Sequence, residues 1–202
     1  MKIFRITTLA AMGVLASACL AQSAGRVAIC PFQFTDGNVT SRTMVMDTIA
    51  KILDHHGYTV LAQESVENGY RSMSPNWRIR HGVPGMADLG KYAASLNATH
   101  VVFGTASWHT RSIWVGTGPK TISTADIDLY VYNVSSNTIV YQRRGIEGRS
   151  DEKENALKDV ADVLITPLIT IVSGGPATPR EQRAAQIAVA RAIRPWIHRD
   201  GR

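Results

Sequence analysis

The chain has 202 residues, 45% hydrophobic and 19% charged, which suits a single folded domain and excludes both a disordered chain and a multi-span membrane protein. Two cysteines are too few for a disulfide-dense scaffold or a four-cysteine zinc site. The formal net charge of +6 is local: Lys2 and Arg5 supply two charges, and residues 180–202 carry six arginines against Glu181 and Asp200. The chain between is neutral and has no global field to steer nucleic acid, which is not expected as a partner.

Lys2 and Arg5 precede the apolar stretch Leu9–Ala16, which runs into the small residues Ala16-Ser17-Ala18, and no further charge follows until Arg26. That is the layout of a bacterial secretory signal over residues 1–18, or to 23. A membrane span needs about 20 apolar residues, and Gln22, Ser23 and Gly25 interrupt sooner. Leu15-Ala16-Ser17-Ala18-Cys19 resembles a lipobox, with Ala16 where Leu is usual. Two products follow from this: a lipoprotein beginning at lipidated Cys19 with a short tether over 19–25, or a soluble periplasmic chain cut near Ala18 or Ser23.

The folded part is expected over 26–202. Arg26–Phe32 reads as a buried strand ending at Pro31, with Cys30 a small buried hydrophobe, and Phe32–Asn38 as a loop. From Val39, apolar residues at helical spacing through Leu53 predict an amphipathic helix, closed by His55, His56 and Gly57. Tyr58–Leu61 is a short strand, Gly69–Val83 a long polar loop, and Met86–Asn97 a second helix. Three strands follow: Thr99–His109, Thr121–Asn133 and, after the turn Ser135-Ser136-Asn137, Thr138–Glu147. In the second of these, Ala125, Ile127, Leu129 and Val131 alternate with Asp126, Asp128, Tyr130 and Tyr132, predicting one covered face. Arg143 or Arg144 on the third strand is expected to satisfy Asp126 or Asp128 across the pair. A third helix is read over Asp151–Ile171, and Thr178-Pro179-Arg180-Glu181 caps a last helix over 179–198. The fold class is therefore α/β, in an α+β-like arrangement: a mixed sheet of about five strands, order β-α-β-α-β-β-β-α-α, with helices packed on it.

Val27-Ala-Ile-Cys-Pro-Phe32, Thr99-His-Val-Val-Phe-Gly-Thr105 and Asp128–Tyr141 resemble the bacterial envelope lipoproteins that include the curli-secretion channel CsgG, the TolB amino-terminal domain and the lipoprotein activators of penicillin-binding proteins. The likeness covers about residues 26–172. It implies a non-enzymatic interaction or assembly module of the periplasm or outer membrane, whose partners are an envelope protein or a second copy. The pore of the curli channel is not implied. Its hairpins are long, whereas Thr110–Lys120 holds both arms and the turn, and a membrane-crossing strand needs about 9–11 residues.

No nucleophile, metal or phosphate-loop signature is present, and neither catalysis nor a cofactor is expected. Gly116-Thr-Gly-Pro-Lys120 reads as a turn, and Asp54-His55-His56 as a helix end rather than a metal site, since adjacent helical residues point about 100° apart. Three candidate binding surfaces remain. Trp114, near the tip of the strand hairpin, is either a contact anchor or folded back over the sheet. Trp77, Arg78 and Arg80 in the long loop suit an anionic lipid headgroup or glycan, which gives a second function: a periplasmic binding module for an anionic ligand. Arg180, Arg183, Arg191 and Arg194 fall within an arc of about 80° on the last helix, opposite Ala185, Val189, Ala192, Ile193 and Trp196. This helix should dock on the sheet through its apolar face, and its basic stripe is placed to meet lipid headgroups near the anchor.

Expression in a bacterial host, with intact mass and fractionation, tests the leader. The expected product is a membrane-associated chain starting at triacylated Cys19; an unmodified chain in the periplasmic fluid removes the tether.

Overall fold

The computed structural model describes residues 25–36, 39–73, 86–152 and 179–200. Cys19, Trp77, Arg78, Arg80 and, beyond Glu152, the expected third helix lie outside them. In chain order the elements are β1 (Arg26–Ile29), β2 (Gln33–Thr35), α1 (Val39–His55), β3 (Thr59–Val60), α2 (Gln63–Met73), α3 (Met86–Ser95), β4 (His100–Val115), β5 (Gly118–Asn133), β6 (Thr138–Arg149) and α4 (Pro179–Asp200).

The strands form one mixed sheet in the order β3-β1-β4-β5-β6, with β2 also paired to β4. β1, β3 and β4 are parallel, whereas β4, β5 and β6 form an antiparallel meander. A parallel pair needs a crossover. The chain leaves β1 toward one sheet edge through α1 and returns past β1 to β4 through α2 and α3. With right-handed crossovers, the reversal of direction puts these helices on opposite faces.

After exposed Arg26, strand β1 accordingly reads as an apolar run, because both its faces are buried. Val27 and Ile29 enter the larger core with Val45, Ile49 and Leu53 of α1, Leu129 and Val131 of β5, and Ile193 and Trp196 of α4. Ala28 and Cys30 enter the second core with Val66, Leu89, Tyr92, Phe103, Tyr130 and Tyr132. The single covered face expected for β5 is therefore corrected: its tyrosines lie in a second core, as deeply buried as its aliphatic residues.

Local signals stop the helices where expected. Gly57 adopts φ 82° and Asn97 φ 50°, and Tyr58 N–H and Ala98 N–H reach back to the carbonyls of Leu53 and Ala93 at 3.1 and 3.0 Å. Two elements were missed. Phe32–Asn38 contains β2, three residues held in extension by pairing with Thr105–Ser107 of β4. Gly69–Val83 begins inside α2, a helix whose apolar signal is little more than Val66 and Tyr70 among polar residues. Gly69 brings α2 close to α3, since a Cβ there would be tight against Leu96.

Helix α4 lies on β5 and β6 with Ala184, Ala185, Ala188 and Ala192 fully buried. Small side chains bring its backbone close to the sheet, and Gly148 of β6 completes the approach: a Cβ there would collide with the Ala184 carbonyl and the Ala188 nitrogen. Gly148→Ala must displace the helix and should cost about 1–3 kcal/mol of stability, read as a lowered urea midpoint.

Candidate functional site

β4 and β5 are paired from His100↔Asn133 to Val115↔Gly118, further than the sequence pattern indicated. Their neighbours stop short: β2 follows β4 only to Ser107, and β6 follows β5 only to Thr124. Beyond this level the hairpin continues as a two-stranded arm closed by Gly116 and Thr117. Cross-strand hydroxyl pairs run along it, Thr110 with Ser123 at 3.1 Å and Ser112 with Thr121 at 3.4 Å. Trp114 sits at the end, opposite Pro119, with 75% of its surface exposed, next to Val115. The Trp114 side chain is not folded back over the sheet. Residues 110–125 include Arg111 and Lys120 and no carboxylate, so the tip is apolar with a basic collar. Lys120 lies 3.9 Å from Asp151.

The terminal helix is divided as expected, but two arginines of its basic stripe are engaged by the protein itself. Arg183 donates to the Glu152 carbonyl at 2.7 Å. Arg191 donates to the Glu147 carbonyl at 2.9 Å and clasps the Glu152 carboxylate through both terminal nitrogens. Arg194 is half-buried, and Arg180 is exposed. Two of the four arginines thus hold α4 against the end of β6 and the residues after it. Nor do Arg143 and Arg144 satisfy the β5 carboxylates. Asp126 faces His109 at 3.7 Å, Asp128 accepts from Gly145 N–H at 2.8 Å, and Arg144 lies over the Tyr130 ring. The reason is a register shift between Ile127 and Leu129, where Gly145 at φ 60° bulges and presents its N–H to Asp128. Burial and nearby Glu147 hold the Asp126 carboxyl above its ordinary value, against the pull of His109.

The opposite pole, where the chain enters at Gly25, is organised around buried His100. The Asn133 carbonyl oxygen is taken by the 135–136 turn, accepting from Ser135 Oγ at 2.6 Å and Ser136 N–H at 3.0 Å. Its amide NH₂ therefore faces His100 Nε2, 2.8 Å away, so Nε2 must be the acceptor and Nδ1 must carry the proton. Nδ1 donates to Thr99 Oγ1 at 3.1 Å, while Thr99 both accepts from Arg26 N–H and donates to Arg26 C=O. The neutral imidazole thus fastens β1 to β4. Beside it Tyr58 donates to Asp200 at 2.7 Å, and His56 is stacked edge-on with His55 and His198.

Sequence reasoning missed one feature of this half of the molecule: a cavity of about 500 Å³ between β6 and the end of α4, lined among others by Ile139, Val140, Arg143, Pro195 and Arg199. Its walls come from elements about fifty residues apart, with no local motif to announce them. Cys30 is the small buried residue expected, its thiol pushed up to about 12 by burial. Among the described residues no group of three His, Cys, Asp or Glu could hold a metal, and no helix is long and apolar enough to cross a membrane.

No protein-family model and no curated protein matches the chain. Among solved structures it is similar to the lipoprotein GNA1162 of Neisseria meningitidis, at 13% identity and a TM-score of 0.46 over 69% of this chain and 94% of that one. It is similar to the C-terminal domain of LpoB from Escherichia coli at 14% identity, TM-score 0.40, 64% of this chain and 84% of that one. The hypothetical protein CT253 of Chlamydia trachomatis gives 15% identity and a TM-score of 0.44, covering 87% of this chain and 99% of its own length. At these values the neighbours assign no role to this chain.

Burial holds His100 below its ordinary value of 6.5 against the pull of Asp200, and burial together with His55, His198 and Arg194 does the same to His56. The unfolded chain then binds protons first as the pH falls. Stability should be full above about pH 6.5 and fall as the pH drops from there toward the lowered folded-state values. Urea midpoints at about pH 7.5 and 5.5 should show the loss, and His100→Gln should reduce it.

Proposed function

We propose that the chain is a non-enzymatic lipoprotein of the bacterial cell envelope: a tethered interaction module that engages another envelope protein, or a second copy of itself, through the tip of the β4–β5 arm. The observation that carries this reading is Trp114, a large apolar side chain 75% exposed at the end of a paired hairpin. Ordered, exposed tryptophans are what interface hot spots are made from.

The geometry of the two poles supports it. Gly25 lies beside Thr99, at the start of β4, and the tip lies at the other end of a sixteen-residue strand, about 50 Å away at 3.3 Å per residue. From Cys19 to Gly25 the chain spans at most about 21 Å. A membrane held through Cys19 therefore lies at the His100 pole, and the arm points away from it. The part of the arm without a flanking partner, 108–115 on β4 and 118–122 on β5, is shorter than the 9–11 residues of a membrane-crossing strand, so the reading includes no pore. An anionic ligand at Trp77, Arg78 and Arg80 gains no support from the described residues.

A photo-crosslinking residue at Val115 in living bacteria tests this. A discrete adduct is expected, with an adduct at twice the chain's mass identifying a second copy. Trp114→Ala should lower the yield at least tenfold while leaving stability within about 0.5 kcal/mol, because the side chain is exposed. No adduct, or an undiminished yield in Trp114→Ala, overturns the proposal.

A further inference from the structure

The cavity between β6 and α4 has its own physical cause. Pro195 has no N–H to give the Arg191 carbonyl, and its ring presses on that turn of α4. The Tyr141 hydroxyl ties this part of the helix to the sheet by donating to the Ala192 carbonyl at 2.6 Å. Past this tie the helix end and the strand flank an open groove of about 500 Å³, with Val140 and Pro195 as its apolar side chains, while the Ile139 side chain packs in the second core on the other face of the sheet. Val140 is 37% exposed, and Gln142, Arg143 and Arg199 are exposed at the mouth.

The charge there has one sign. Arg143 lines the groove from the strand and Arg199 from the helix. The ion pairs among the described residues use neither of them. Residues 138–146 contain no carboxylate, and Asp200, next to Arg199, accepts the Tyr58 hydroxyl. Two guanidiniums over an apolar wall match a phosphodiester carrying a hydrocarbon substituent, since the planar donor forks meet the phosphate oxygens and the walls meet the carbon chain.

The position selects the source of that phosphodiester. The cavity lies along the part of β6 that pairs with Leu129–Asn133, the level at which β5 meets His100–Gly104. This is the pole where the tether enters. β6 is three strand steps from β1, about 14 Å across the sheet, whereas the arm tip is some 50 Å off along β4. We infer that this groove binds the headgroup of an anionic phospholipid in the membrane that holds the anchor, with Arg143 and Arg199 on the phosphate and Val140 and Pro195 against the glycerol and first methylenes. The inference rests on the proposed lipid tether and extends it: tether and headgroup site together fix the domain upright, with the arm directed away from the bilayer.

The test uses the purified mature chain and dihexanoylphosphatidylglycerol below its micelle concentration, followed by amide NMR. Saturable shifts are expected over Ile139–Arg143 and Trp196–Asp200. The combined change Arg143→Gln and Arg199→Gln should weaken binding at least tenfold while spectra elsewhere stay unchanged, and Trp114→Ala should bind as the parent does. Dihexanoylphosphatidylcholine should bind at least tenfold more weakly than the glycerol lipid. The inference is overturned by the absence of shifts at these residues, by equal binding of the two lipids, or by binding unaffected in the double variant. Inorganic phosphate binding as tightly as the lipid would make this a free-anion site, and an acidic peptide displacing the lipid at lower concentration would make it a protein contact. Either result also overturns the headgroup assignment. Lost crosslinks with intact lipid binding strike the arm reading alone, and the reverse pattern strikes the headgroup site alone.

Discussion

The antiparallel ladder between β4 and β5 is the constraint on which the other features depend. It runs sixteen residues on each strand, but the remaining elements accompany it over only part of that length. Where β1, β2 and β6 flank it and helices cover both faces, its alternation is read twice, and on β5 the side chains are aliphatic toward α1 and α4 and aromatic toward α2 and α3. Where the flanking elements end, the same two strands continue as an arm whose faces carry Thr110, Arg111, Ser112, Thr121 and Ser123. The backbone bonds of the ladder keep the arm extended, and Trp114 stands exposed at its end.

Helix α4 closes the larger core by close approach rather than by large side chains. Buried alanines and Gly148 admit its backbone to the sheet, and dispersion contacts at short range supply the attraction. The Arg191–Glu152 pair, 44% and 20% exposed, adds an anchor of modest strength, because half-exposed ion pairs gain little over solvation. Its main consequence is positional. Arg183 and Arg191 are tied to the end of β6 and to Glu152, and the cations at the groove are Arg143 and Arg199.

The two poles are chemically unlike. At one, a neutral imidazole in a closed hydrogen-bond set joins the first strand to the central one, beside three clustered histidines. At the other, Arg111 and Lys120 stand behind an indole. Both ends are cationic, so head-to-tail contact of tip and cavity between two copies would set like charges together.

Much of the fold was legible because its signals are local. Gly57 and Asn97 sit at helix ends that need positive φ, the 3.6-residue spacing of α1 needs only its own side chains, and the turn after Asn133 is set by neighbouring polar groups. β2 and α2 were not legible: one is a three-residue strand made by its pairing with β4, the other a polar helix with few apolar residues to mark it. The second core was missed because tyrosine opposite aliphatic residues reads equally well as a solvent face. By itself the sequence determined the mixed α/β class, the order of most elements, the apolar face of α4 and the presence of a tryptophan near a hairpin end. Tertiary structure alone decided how far the hairpin outruns its neighbours, which arginines turn inward to Glu152 and which remain at the cavity beside Tyr141. Exposure and pairing of this kind depend on contacts between residues such as Arg143 and Arg199, far apart along the chain, and no local pattern encodes that distance.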